Sequence, residues 1–221
     1  MKHALIVGAG AGLSASLARK LSAAGWQVAL AARDTGKLGA LAAETHATLH
    51  ACDSADPAAV EGLFSAIPAP ELVIYNPSFR TRGPIADLDP ALVRRALEVC
   101  AFGAFLVAQQ AARCMLVAGH GTILLTGASA GVKGFAESAP FAMGKFALRG
   151  LGESLARELH PKNIHVCHFV IDGGIASATR AQGDDNLLDP DAIADSYLHV
   201  LAQPRSAWSS EMAIRPWVER F

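Results

Sequence analysis

The stretch Leu5-Ile6-Val7-Gly8-Ala9-Gly10-Ala11-Gly12-Leu13-Ser14 decides how the rest of the chain is read. An apolar run of strand length ends in glycines at positions 8, 10 and 12, and an amphipathic stretch from Leu13 to Ala24 follows at once. Strand, tight turn and helix start in that order build a phosphate-binding site. Glycine lets the backbone bend and come close to an anion, and the unpaired N–H groups of the helix point at it. Glycines also serve plain loops. The flanking strand and helix are what make this turn a dinucleotide signature.

The 221 residues are 52% apolar, and the mean hydropathy is +0.29. That length suits a single domain over residues 1–221 with a large core. Parallel strands covered on both faces have this character, since they are apolar throughout instead of alternating. The formal net charge of −1 and the absence of a basic block exclude a nucleic-acid surface. Residues 102–125 come nearest to a membrane span of about 18 apolar residues, but Gln109, Gln110, Arg113 and His120 interrupt them. Met1-Lys2-His3 leads straight into the first strand and leaves no room for a signal peptide. Cys52, Cys100, Cys114 and Cys167 lack paired spacing, so reduced thiols in a cytoplasmic protein are expected.

Strand and helix patterns alternate to the end of the chain. Strands are expected at Ala4–Gly8, Gln27–Ala32, Thr48–Ala51, Leu72–Asn76, Gly121–Thr126, His165–Ile171 and Glu211–Arg215. Helices are expected at Leu13–Ala24, Thr35–Glu44, Asp56–Ala66, Pro90–Ala118, Ser138–Leu159 and Pro190–Ala202. Asp56-Pro57, Asp89-Pro90 and Asp189-Pro190 read as acidic caps ahead of a proline at the first helical position. The alternation gives an α/β fold, a Rossmann-type doubly wound parallel sheet with helices on both faces. Ligands of such sheets lie beyond the carboxyl ends of the strands.

Those ends carry the candidate residues. Ala32-Arg33 follows the second strand, where a carboxylate would hold the ribose 2′-hydroxyl of NAD and a guanidinium suits the 2′-phosphate of NADP. Arg33 therefore points to NADP, unless it merely pairs with Asp34 or solvent. Asp53 follows the third strand, placed either to accept from an adenine amino group or as an ordinary exposed loop carboxylate. Tyr75 either presents a phenol at the sheet edge or packs inward, and Tyr197 reads as core or interface. His165 and His168, three apart on one strand, face opposite ways and do not form a shared metal site.

On these residues the chain resembles the short-chain dehydrogenase/reductase family over nearly its whole length. The resemblance implies a sheet of about seven strands and a nicotinamide nucleotide over the glycine turn. Gly8 and Gly12 match the first two glycines of the family's Gly-x-x-x-Gly-x-Gly, and Ser14 stands at the third. The implied cofactor contacts are Gly8, Gly10, Gly12, Leu13, Arg33, Asp53, Asn76, Lys145, Gly173, Ile175 and Ser177. Asn76 is what remains of the family's Asn-Asn-Ala-Gly, here Tyr75-Asn76-Pro77-Ser78, and Asp172-Gly173 stands for its Pro-Gly.

The catalytic set departs further. The family's Tyr-x-x-x-Lys appears as Phe141-Ala142-Met143-Gly144-Lys145, and Phe141 has no proton to give. The serine position is Ala128, with Ser129 able to substitute if the loop is displaced by one residue, and the helical asparagine aligns with Cys100. Lys145 either holds the nicotinamide ribose, with small Gly144 and Ala147 allowing close packing, or is a solvated lysine. Catalytic roles are thus expected of Lys145 and Ser129. The segment Ala176–Leu188 reads as a disordered lid or a passive connector, and Trp208 and Trp217 as packed in the core or against another subunit. The resemblance also implies a homodimer or homotetramer through the two long helical patterns. Ala104, Ala108, Ala111 and Ala112 fit that contact and fit packing on the sheet equally.

The expected function is an NADP-dependent oxidoreductase acting on a small carbonyl or alcohol with a non-standard proton donor. The rivals are an inactive NADP-binding sensor or scaffold, and a chain that has lost nucleotide binding.

Overall fold

The computed structural model describes residues 1–177, 179, 180 and 183–219. Seven strands form one parallel sheet in the order β3-β2-β1-β4-β5-β6-β7. They are β1 (His3–Val7), β2 (Gln27–Ala32), β3 (Thr48–Ala51), β4 (Leu72–Tyr75), β5 (Gly121–Thr126), β6 (Ile164–Ile171) and β7 (Glu211–Ile214). Each lies within one residue of its expected bounds at either end. The order reverses between β1 and β4, whose register pairs Val7 with Tyr75, so a crevice opens beyond these two carboxyl ends.

Helices cover both faces. On one side α1 (Leu13–Ala23) and α7 (Pro190–Leu201) lay Leu17, Leu21, Ile193 and Val200 against Ile6, Leu30, Ile74 and Phe169. On the other, α3 (Pro57–Ala66), α5 (Gly103–Ala118) and α6 (Ala139–Leu159) bring Val60, Leu63, Val107, Met115, Leu148 and Leu159 to Leu5, Val73, Ile123 and Val166. Neighbours along a strand, such as Leu5 and Ile6, thus enter different cores, which is why the strands are apolar without alternation. The three aspartates cap as the sequence predicts. Asp56, Asp89 and Asp189 each accept the N–H two residues on, at 3.0, 2.8 and 3.0 Å, with proline at the start of the helix.

Two helical expectations are corrected. Residues 35–44 split into a 3₁₀ turn at Gly36–Leu38 and α2 (Gly39–Thr45). The single helix expected over Pro90–Ala118 is α4 (Pro90–Leu97) and α5 joined by a π turn, Glu98–Phe102. The apolar pattern runs through that turn unbroken, so periodicity alone does not reveal the extra residue. Ala104 and Ala111 are buried in the core against the sheet, Ala112 packs partly buried on the same core, and Ala108 is buried. Phe102 in the π turn, Phe105 on α5, and Met143 and Phe146 on α6 are exposed.

Tyr75 and Tyr197 pack inward. Tyr75 is fully buried, donates to Val99 O and pairs with Ser54 Oγ at 3.2 Å. Tyr197 stacks on Phe169 with ring centroids 3.6 Å apart and pairs with Thr126 Oγ1. Burial pushes both phenols far above their ordinary pKa. His165 stacks on Trp208, while His168 faces Glu211 at 3.1 Å, so the two histidines part company. Trp217 is exposed. Among the described residues no group of three or more His, Cys, Asp or Glu side chains could hold a metal, and no helix is long and apolar enough to cross a membrane. All four cysteines are free, and burial pushes the Cys52 thiol up to about 11 and that of Cys167 up to about 12.

Gly103 opens α5 where a Cβ would come within 2.6 Å of Tyr75 Oη and 2.7 Å of Ser54 O. Gly103→Ala is expected to destabilise the chain by about 1–3 kcal/mol through overpacking. Urea unfolding of the two proteins measures it.

Candidate active site

The glycine turn folds back on β2 and β4. Gly8 has φ +80°, a left-handed conformation that side chains disfavour, and its N–H bonds to Ala31 O at 2.9 Å. A Cβ on Gly8 would meet Pro77 N at 2.5 Å, so the turn and the loop after β4 touch backbone to backbone. By contrast, a Cβ on Gly10 or Gly12 meets nothing within 4 Å. That open space lies at the start of α1, where Leu13 is the first helical residue and Gly12 offers no side-chain cap. Leu13 contributes its backbone here, since its side chain is buried in the core. Free N–H groups at a helix start beside open backbone suit an anion such as a pyrophosphate.

Ser14 is more than a small residue at the third glycine position. Its Oγ donates to Gly8 O at 3.1 Å and accepts from Asn76 Nδ2 at 2.6 Å, while Asn76 N–H bonds to Val7 O. One hydroxyl therefore joins the turn, α1 and the end of β4.

A cleft of about 690 Å³ runs along this edge, with Gly8, Gly10, Arg33, Asp53 and Asn76 in its wall. Lys37 also lines it, a second cation that sequence reasoning missed although it stands only four residues beyond Arg33. Asp34 does not neutralise Arg33, because its carboxylate accepts Gly36 N–H at 2.9 Å. Asp53 is occupied in part. Its carboxylate takes Arg95 at 2.6 Å and Ala55 N–H at 3.1 Å. Burial raises its pKa, but these two contacts outweigh burial and hold it below the ordinary carboxylate value.

The residues of the catalytic motif lie on α6, no residue of which lines this cleft. Lys145 is 2% exposed and donates to Thr126 O at 2.8 Å, so it is no solvated lysine. Burial pushes its pKa down, against a smaller opposite effect of Cys100. A Cβ on Gly144 would lie 2.7 Å from Cys100 Cβ, so this glycine admits the π turn, and Ala147 is exposed.

Phe141 is buried with Cys100, Ala130 and Ala128. Cys100 contacts the Phe79 backbone on both sides, taking its N–H at 3.5 Å and donating to its C=O at 3.6 Å. Ala128 packs, partly buried, against the cluster that holds Phe141. Ser129 opens the next 3₁₀ turn, half-buried, its carbonyl accepting from Val132 and Lys133.

Gly173 has φ +152°, and a Cβ there would lie 2.7 Å from Pro216 Cδ. Asp172 before it is buried, 3.5 Å from Lys133 and 3.8 Å from Arg215. Ile175 pairs with Leu188, and Ser177 closes a tight turn with Arg180 through bonds of 2.9 and 3.0 Å. The described part of residues 176–188 is therefore a bonded turn; positions 178, 181 and 182 lie outside the described residues.

The family model for short chain dehydrogenases matches residues 2–186. The chain belongs to the short-chain dehydrogenase/reductase family. It is 32% identical over 182 residues, 75% of its length, to trans-4-hydroxycyclohexanecarboxylate dehydrogenase of Sinomonas cyclohexanicum. The match spans 69% of that relative and 65% of further curated relatives. A short-chain dehydrogenase structure from Rhodopseudomonas palustris is 33% identical, with TM-score 0.86 and coverage of 98% of this chain and 99% of that one. A metagenomic short-chain oxidoreductase solved with NADP is 28% identical, with TM-score 0.84 and coverage of 98% of both chains.

Short-chain dehydrogenases/reductases are oxidoreductases that bind a nicotinamide nucleotide, and the open backbone at Gly10 and Gly12 fits such a group. Ser14→Ala is expected to cost about 0.5–1.5 kcal/mol, because Gly8 O loses its donor and Asn76 its acceptor. A fall in unfolding free energy at constant denaturant slope checks it.

Proposed function

We propose that the chain, one dinucleotide-binding domain over residues 1–221, is an NADP-dependent oxidoreductase of a small carbonyl or alcohol. The observation that carries the cofactor preference is the pair Arg33 and Lys37 in the cleft wall, beside an Asp34 whose carboxylate accepts Gly36 N–H. The relative crystallised with NADP supports the same choice. The nucleotide, when bound, supplies or takes the hydride. Gly8, Gly10, Gly12 and Leu13 would receive its pyrophosphate through their backbone, and Asp53 and Asn76 would serve the adenine and nicotinamide ends. Lys145 would hold the ribose beside the nicotinamide, and Gly173, Ile175 and Ser177 the nicotinamide and its phosphate.

The proton must come from a group other than residue 141. Burial removes Tyr75 and Tyr197 from the candidates, which leaves Ser129 or solvent. A positioned acid contributes about 10²–10⁴ in rate, so hydride transfer without one is slow and not abolished.

A second reading, a nucleotide-binding sensor or scaffold, rests on Phe141 itself, buried where the family keeps its tyrosine. We place the protein in the cytoplasm on its four free cysteines, and infer a homodimer or homotetramer closing over exposed Phe102, Phe105, Met143 and Phe146.

Two measurements test the proposal. Arg33→Ala is expected to weaken NADP by about ten- to a hundredfold and leave NAD nearly unchanged, as read by calorimetry. Equal binding of NAD and NADP by the native chain removes the preference, and binding of neither removes the function. Phe141→Tyr is expected to raise carbonyl reduction by about a hundredfold or more. If a broad panel of aldehydes and ketones is turned over by that variant alone, the sensor reading replaces the enzyme.

A further inference from the structure

The cations of this chain are not evenly placed. Arg95, Arg149 and Arg19 each hold a carboxylate, at 2.6, 2.7 and 2.8 Å. Arg80, Arg82 and Arg180 hold none: among the described residues no carboxylate oxygen lies within 4.0 Å of their side-chain nitrogens. All three are exposed and lie in two loops at the carboxyl edge of the sheet, after β4 and after β6. The guanidinium of Arg80, in the loop after β4, lies over the Phe141 ring, 5.1 Å from its centroid. The same loop is tied to the start of α6 by the bond from Gly83 N–H to Glu137 O at 3.0 Å. The guanidinium of Arg180, in the turn after β6, rests against Gly174, where an added Cβ would come within 2.9 Å of Nη1. Burial lowers the pKa of Arg80, and the charges of Arg82 and Arg180 lower it further, so all three share one field.

Like charges gathered without a counter-ion repel, and their natural complement is an anion. A guanidinium over an aromatic ring keeps its N–H donors for other partners, and its fork suits a two-pronged bond to carboxylate or phosphate. The place matters as much as the charge. By the family resemblance Phe141 stands at the proton-donor position, and Gly174 follows Gly173, so Arg80 and Arg180 lie beside residues assigned to the reacting end. Arg33 and Lys37, the cations suited to the 2′-phosphate, line the part of the cleft that follows β2.

We propose that Arg80, Arg82 and Arg180 form an anion-binding subsite on the substrate side of the cleft, and that the compound turned over carries a carboxylate or phosphate. The proposal rests on the NADP-dependent oxidoreductase reading and narrows its substrate class. The nucleotide's own phosphates are met elsewhere, at the glycine turn and at Arg33. The anion-binding subsite orients the substrate through its charged end, which leaves a carbonyl on the same molecule to face the nicotinamide.

The test pairs each anion with its neutral counterpart: 4-oxopentanoate with 2-pentanone, and dihydroxyacetone phosphate with dihydroxyacetone. NADP affinity is measured first, by calorimetry. Binding of each compound to the NADP-loaded protein and its turnover are then followed, so that slow chemistry does not hide recognition. At least one anion is expected to be preferred by about tenfold or more over its counterpart. Which pair shows it separates carboxylate from phosphate. Arg80→Ala and Arg180→Ala are expected to bring that preference toward unity, and Arg80→Lys to keep part of it. Unaltered NADP binding in the variants shows that they are folded. Tight NADP binding with no preference for either anion overturns the proposal, as does a preference that the variants leave intact. Variants that weaken NADP as much as the anion assign the three arginines to the cofactor and overturn it too. Absence of NADP binding in the native chain is a different result, and removes the reading beneath.

Discussion

The close approach of the first turn to the loop after β4 holds the molecule's working edge together. Gly8 and Pro77 meet at a distance that no side chain tolerates, and the Ser14 hydroxyl ties the Gly8 carbonyl to Asn76 across the same junction. Each contact depends on the other. Without the left-handed turn Ser14 would not reach the carbonyl, and without Asn76 the hydroxyl would give up its acceptor role. Because β1 and β4 are neighbours at the point where the sheet reverses direction, this junction fixes the width of the crevice from which everything else is measured.

Around that edge the polar groups fall into two sets. Those in the framework are satisfied by the protein: Lys145 by Thr126 O, Asp53 by Arg95 and Ala55, Asp34 by Gly36. The cleft wall also carries Arg33 and Lys37 after β2, which hold no carboxylate within 4.0 Å among the described residues. A buried lysine carries a desolvation cost that a single carbonyl offsets only in part, so retaining Lys145 inside α6 is expensive.

How much of this was legible in the sequence depended on the kind of signal. The parallel sheet followed from apolar runs and helical periodicity, and the caps at Asp56, Asp89 and Asp189 from local chemistry that tertiary structure does not override. The π turn left no trace, because Val99, Cys100 and Phe102 continue an apolar pattern that a regular helix would also show. The role of Ser14 needed Asn76, sixty-two residues away, and the burial of Lys145 needed Thr126, nineteen away, so neither was visible in local spacing. Arg80 and Arg180 lie in loops a hundred residues apart in the chain, where periodicity is silent and only the fold brings charge to charge.

The π turn between α4 and α5 sets Cys100 against the Phe79 backbone and lets Gly144 close on the same residue. Its extra residue also works as a register lock. Deleting one amino acid from Glu98–Phe102 would restore a continuous helix, yet would swing all that precedes the deletion by about 100° relative to α5, since a helix turns once in 3.6 residues. Arg95 would then leave Asp53, and the two ends of the crevice would lose their common frame. Substitutions are tolerable in this segment in a way that a change of length is not.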